Sequence, residues 1–214
     1  NLKYISPKQS LGYPDAVIIP GSKTTIADLM VLHQTGMADS LKDYVAAGGT
    51  VLGICGGFQM LGKLVADPEG IEGQEGRSEG LGFLPTKTVM TPQRVARQRQ
   101  VTSNFPQTGL PVTGYEIHQG RTRIIEPDGT LALFDDPTLG VVDSGQFVWG
   151  TYLHGIFDNG PWRRAWLNRL RQQRGLHSLP TGISNYREQR EAMLDALADR
   201  VEAYIDLTPI LPSS

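Results

Sequence analysis

Residues 50–61 read Thr50-Val51-Leu52-Gly53-Ile54-Cys55-Gly56-Gly57-Phe58-Gln59-Met60-Leu61. A short β-branched and apolar stretch runs into a small-x-Cys-x-small pentad, and a helix-forming segment follows. Strand, sharp turn and helix in that order make a nucleophile elbow. The glycines around Cys55 let the backbone turn where a Cβ would clash. The turn would lift the sulfur above the carboxyl end of the strand. The start of the helix is expected to lower the thiol pKa and to leave backbone N–H groups free to hold an oxyanion. The competing expectation is a buried structural cysteine, because free cysteine is among the most buried residue types.

Outward from the elbow, the pattern repeats on its N-terminal side. Residues 15–20 read as a buried strand after the turn-like Gly12-Tyr13-Pro14, and it ends in Pro20-Gly21-Ser22-Lys23. Thr24 or Thr25 is placed to cap a helix through about His33, with Asp28 in its early turns. A second helix runs from about Met37 to Ala47, with Leu41, Tyr44 and Val45 on its apolar face and Gly48-Gly49 stopping it. The helix after the elbow should extend from about Gly56 to Val65. Two strand–helix units in a row predict a parallel sheet with helices on both faces.

The middle of the chain changes character. Residues 66–80, rich in Gly and Glu, read as a surface loop. Short strands are expected at about 83–89, 100–104, 111–118, 121–125, 130–134 and 146–152, with turns such as Glu126-Pro127-Asp128-Gly129 between them. They predict an antiparallel extension on the parallel core. Arg94, Arg97 and Arg99 read as a solvated connection. A helix should start after Asn159-Gly160-Pro161, with proline in its first turn and a core-facing stripe of Trp162, Trp166, Leu167 and Leu170. A last helix at about 184–205 places Tyr186, Met193, Leu194, Leu197, Val201 and Tyr204 on one face, read as packing.

Composition narrows the class. The 214 residues are 39% apolar and 20% charged, with a formal net charge of −2, so no general attraction to nucleic acid or a membrane surface is implied. One cysteine precludes an internal disulfide and fits a reducing, cytoplasmic setting. No apolar run approaches the roughly 20 residues of a bilayer span, and the start does not read as a signal peptide. Asn1 is not a natural initiator, so the chain is expected to be a piece of something longer. No metal-ligand cluster is read from the sequence.

A cysteine nucleophile needs a base and a site for the developing oxyanion. Of the four histidines, His33 and His177 lie in polar helix-end contexts. His118 sits in Gly114-Tyr115-Glu116-Ile117-His118-Gln119-Gly120, and His154 ends a strand in Gly150-Thr151-Tyr152-Leu153-His154-Gly155-Ile156-Phe157-Asp158. A strand-end histidine at the sheet edge that carries Cys55 is the better base. The oxyanion donors would be the Gly56 N–H and an N–H from the Gly21-Ser22 turn, at the carboxyl ends of neighbouring strands.

Three turns together resemble the class I (triad-type) glutamine amidotransferases: Pro20-Gly21-Ser22, Gly53-Ile54-Cys55-Gly56-Gly57-Phe58-Gln59 and Tyr152-Leu153-His154-Gly155. The wording is similar to the cobyric acid synthase branch in Pro20 to Leu29, Cys55 to Gly62, Glu79-Gly80-Leu81-Gly82, Gly114 to His118 and Gly150 to Asp158. These motifs run in order over about residues 12–175. The resemblance implies a flavodoxin-like α/β fold and residues 1–214 as the C-terminal glutaminase domain. It implies that Cys55 attacks the side-chain amide of glutamine, that His154 protonates the ammonia and activates water, and that Gly21, Ser22 and Gly56 hold the oxyanion. Gln59 matches the family glutamine that contacts the substrate. Ammonia would pass to an N-terminal synthetase domain, fused or in trans, which binds ATP, Mg²⁺ and the corrinoid acceptor. There adenosylcobyrinic acid a,c-diamide becomes adenosylcobyric acid, in cobalamin biosynthesis.

Two departures stand out. Many class I members place a glutamate two residues after the histidine, where this chain has Ile156. Asp158, Glu116, His118 or a backbone carbonyl are the candidates to orient His154 in its place. No Gly-x-x-x-x-Gly-Lys-Ser/Thr phosphate loop occurs, so the synthetase half is expected to lie outside these residues, and no cofactor is expected within them. Lys23 reads equally as a binder of the glutamine carboxylate and as a solvated loop lysine. The related glutaminase that partners a Mur-ligase-like protein in cell-wall amidation and a non-catalytic docking domain are the alternatives.

Overall fold

The computed structural model describes all residues except 74, 127, 203 and 205–214. In chain order the elements are β1 (Ala16–Ile19), α1 (Thr25–Gln34), α2 (Met37–Ala46), β2 (Thr50–Ile54), α3 (Gly56–Leu61), β3 (Leu64–Asp67), β4 (Gly76–Glu79) and β5 (Thr86–Thr102). They continue with β6 (Pro111–Ile124), β7 (Thr130–Ala132), β8 (Gly140–Asp143), β9 (Val148–Thr151), β10 (Leu153–His154), a 3-10 turn (Ile156–Asp158), α4 (Gly160–Gln173) and α5 (Tyr186–Glu202).

Two sheets organise these elements. The first has the order β1-β2-β9-β8-β7, with β1, β2 and β9 parallel and β8 and β7 antiparallel beyond them. The second, β10-β6-β5-β3-β4, is antiparallel except where β3 runs beside β5. This is the expected α/β core with an antiparallel extension.

Alternation along β9 explains why helices cover both faces of the first sheet. Trp149 points to one side, where its ring meets Trp162 of α4 at 5.3 Å and Trp166 at 6.0 Å, both edge-on. Gly150 points to the other side and lies in register with Gly53 of β2. A Cβ on Gly150 would overlap the Phe58 ring, and one on Gly53 would stand 2.5 Å from the Gly57 carbonyl. Two adjacent glycines thus make a flat seat on which α3 rests. Of the expected stripe, Trp162, Trp166 and Leu170 are buried and Leu167 is partly buried against the core.

Five expectations are corrected. The helix after the elbow stops at Leu61 and not near Val65, because Lys63 N–H donates to the Thr86 carbonyl and Leu64 begins a strand in register with Lys87 of β5. Residues 66–80 are not simply a surface loop. Buried Asp67 accepts the N–H groups of Ile71 and Glu72, each at 2.8 Å, and so closes a tight connection between the paired strands β3 and β4. Arg94, Arg97 and Arg99 lie within the single long strand β5, and the expected strands 111–118 and 121–125 are one strand, β6. None of α5's residues is buried, so its apolar face does not pack on the core.

Candidate functional site

Parallel pairing brings the carboxyl ends of β1, β2 and β9 to one edge, and each runs into a residue singled out by the sequence. β1 leads to Gly21, β2 to Cys55, and β9 through β10 to His154. Cys55 has φ 53° and ψ −110°, a left-handed conformation that costs an L-residue free energy and that the surrounding bonds must hold. Its N–H donates to the Thr151 carbonyl at 2.8 Å and its carbonyl accepts the Gln59 N–H at 3.1 Å. The elbow is therefore pinned to β9 on one side and to α3 on the other.

The thiol is half-buried and donates to the Ile117 carbonyl of β6 at 3.4 Å. Burial pushes its pKa up, and the negative charge of Glu72 adds to that; the Gly56 N–H and Lys23 act in the opposite direction. The helix start does favour the thiolate, as expected, but burial outweighs it, so the thiol rests protonated. A Cβ placed on Gly21 would stand 3.5 Å from Cys55 Cβ and 3.8 Å from His154 Cε1, so the three residues share one small space. His154 Nε2 is buried and has no hydrogen-bond partner among the described residues. A Cβ on Gly56 would stand 2.7 Å from the Ser22 backbone nitrogen, which places the two expected oxyanion donors side by side. Ser22 Oγ donates to Asp28 at 2.5 Å and accepts the Thr24 N–H at 2.9 Å, which fixes that turn. Lys23 is exposed.

Gln59 is buried, with Oε1 accepting from Thr25 at 3.3 Å and Nε2 donating to the Tyr152 hydroxyl at 3.2 Å. Tyr152 is fully enclosed, and burial pushes its phenol up to about 12. None of the three candidate orienting residues hydrogen-bonds the His154 ring. Glu116 is engaged by Arg97, Arg99 and His118 at 2.8, 2.9 and 3.0 Å. Asp158 is exposed and folds over Gly155. Ile156 is buried in the core, which explains why no carboxylate stands two residues after His154.

Glu72 went unnoticed in the sequence. Its carboxylate accepts the Thr25 N–H at 2.6 Å and the Thr25 hydroxyl at 3.1 Å, capping α1, which has no side-chain cap of its own. Nothing in a Gly- and Glu-rich stretch marks one glutamate for this, although Asp67-Pro68-Glu69-Gly70 does carry the signature of a turn.

The same fold occurs among solved structures. One described as a glutamine amidotransferase superposes with a TM-score of 0.55 at 16% identity, covering 79% of this chain and 84% of that one. The structure of PurLQS from Thermotoga maritima gives 0.50 at 16% identity, covering 69% of this chain and 72% of that one. Residues 1–162 match the CobB/CobQ-like glutamine amidotransferase domain, and the chain belongs to that family. The cobyric acid synthase of Nostoc punctiforme is 69% identical over 99% of this chain, and that of Synechococcus elongatus 58% over 98%. The match covers 44% and 43% of those relatives, so the chain spans less than half the length of the curated relatives it matches.

Proposed function

We propose that this chain is a glutaminase unit that releases ammonia for an amide-forming partner. The observation that carries the reading is the strained elbow cysteine with Gly21 and His154 gathered around it at one sheet edge. In the proposed cycle Cys55 Sγ gives its proton to His154 and attacks the side-chain carbonyl carbon of glutamine. The carbonyl electron pair moves to oxygen, to which the N–H groups of Gly56 and Ser22 donate hydrogen bonds. The C–N bond then breaks and nitrogen leaves as ammonia, taking the proton from His154. Water attacks the thioester carbon and gives a proton to His154. The C–S bond breaks, glutamate departs, and His154 returns the proton to sulfur. The unpartnered Nε2 suits a nitrogen that holds a proton only in transit.

The names of the longer relatives support the finer reading. The ammonia would serve an ATP- and Mg²⁺-dependent synthetase part, in the cytoplasm, that converts adenosylcobyrinic acid a,c-diamide into adenosylcobyric acid. The glutaminase step itself would use only side chains and backbone. No helix among the described residues is long and apolar enough to cross a membrane.

Mass spectrometry after incubation with 6-diazo-5-oxo-norleucine tests the reading. One adduct on Cys55, suppressed by excess glutamine and absent in Cys55→Ser, is the expected result. Glutamine turnover in Cys55→Ser should fall at least about 10³-fold. Labelling of Cys55 by iodoacetamide but not by the diazo-ketone would leave a docking domain in place of a glutaminase.

A further inference from the structure

We propose that the Glu116–His118 pair positions Gln59 for the substrate, acting through Tyr152 and the backbone of Gly120 rather than on His154. The inference rests on the glutaminase reading, in which glutamine lies beside Cys55 with Gln59 among its contacts. Glu116 is buried at 4% exposure and is fixed from one side by two guanidinium groups, Arg97 and Arg99, the second of which also binds Asp136. From the other side Glu116 Oε1 accepts His118 Nε2 at 3.0 Å. His118 Nδ1 lies 2.8 Å from the Gly120 carbonyl oxygen. Both ring nitrogens therefore face acceptor oxygens, and the imidazole cannot turn without losing one bond.

The ring so held lies flat on Tyr152, with centroids 3.7 Å apart and planes 17° from parallel. The Tyr152 hydroxyl accepts from Gln59 Nε2 at 3.2 Å and bonds Thr122 at 2.5 Å. Gly120, whose carbonyl binds His118, also packs its Cα against the same Gln59 amide: a Cβ there would overlap Gln59 Nε2. The ring thus fixes two walls of the slot that holds the Gln59 side chain. The third is Thr25, whose single hydroxyl hydrogen is shared between Gln59 Oε1 at 3.3 Å and Glu72 at 3.1 Å. An amide gripped on both ends in this way presents one orientation to a ligand, which lowers the ordering cost of binding.

The test separates affinity from chemistry. The rate of Cys55 labelling by 6-diazo-5-oxo-norleucine is measured against reagent concentration, beside labelling by iodoacetamide, which needs no glutamine slot. His118→Ala should raise the half-saturating diazo-ketone concentration about three- to tenfold, the scale of one mispositioned hydrogen bond. The maximal labelling rate and the iodoacetamide rate should move less than about twofold. Tyr152→Phe, which removes one oxygen, should give the same shift, and the double variant should be no worse than either single one, because both act on one slot. His118→Asn, whose amide nitrogen reproduces Nδ1, should recover part of the affinity. A fall in maximal rate at unchanged half-saturation in either single variant would overturn the proposal and return the pair to the catalytic step. Additive effects in the double variant would also overturn it. Wild-type protein labelled by iodoacetamide but not by the diazo-ketone would instead fail the glutaminase reading itself. Should His118→Ala not fold, Tyr152→Phe carries the same comparison.

Discussion

Cys55 and Glu72 show how differently two residues of one site are written into a sequence. Cys55 announces itself, because a lone cysteine between a β-branched run and a Gly-Gly pair has few structural uses. His154 is marked almost as well, by the strand it ends. Glu72 is silent: its place depends on Asp67 drawing the connection closed and on α1 offering an uncapped end, and neither is visible locally. Yet its charge acts on the nucleophile, raising the thiol together with burial. Glu72→Gln should therefore lower the Cys55 pKa and raise its iodoacetamide labelling rate at neutral pH about threefold. A rate unchanged or reduced would show that the two groups do not interact. The orienting group for His154 was not legible either: Glu116 lies beside it across the β10–β6 pair but is taken by Arg97, Arg99 and His118, and His118 stacks on Tyr152 instead.

At the scale of elements, the parallel core could be read because each strand carries its own turn and helix signals. The antiparallel part could not, since long-range partners decide it. Arg97 and Arg99 look like a polar link until β6 lays Glu116 beside them, and then they belong to a strand. The end of α3 is likewise set from outside, by Thr86 capturing the Lys63 N–H. The seat under α3 is the element-level feature open to a direct test. Gly150→Ala should drive a methyl into Phe58 and lower stability by about 2 kcal/mol, the usual scale of overpacking. Denaturant midpoints would check this; a neutral result would mean that α3 can lift away from the sheet at little cost. A change of that kind would also shift Cys55, because the helix and the elbow share their first hydrogen bond.

For the molecule as a whole, order mattered more than any single motif: of five short stretches, each modest alone, three meet at one sheet edge, Gly114 to His118 runs beside His154 in β6, and Glu79 to Gly82 packs on the end of α3. The charge network behind the site sets a pH limit on the fold. Burial alone would raise the Glu116 carboxyl above its ordinary 4.5, but the hydrogen bonds from Arg97 and His118 outweigh it and hold it lower. Asp136 sits below its ordinary 3.8, because bonds from Thr138 and Arg99 outweigh its burial. A carboxyl with a lowered native pKa stabilises the fold above its unfolded value and loses that contribution as pH falls through the native one. Stability, followed by urea midpoints, should thus be insensitive to these groups above about pH 5 and decline below about pH 4. Glu116→Gln should flatten part of that decline; an unchanged slope would show that the network carries no proton linkage. The helix α5 stands apart from this cooperative body: among the described residues, the last hydrogen bond tying it to the rest runs from the Gly160 N–H to Asn185 at 2.9 Å, one residue before it begins. A helix with no buried residue changes the wetting of its apolar side chains little when the protein unfolds, even where Leu194 and Val201 are partly covered. It therefore adds little to the heat capacity or the denaturant sensitivity of unfolding, and the thermodynamic size of this protein is smaller than the length of its chain.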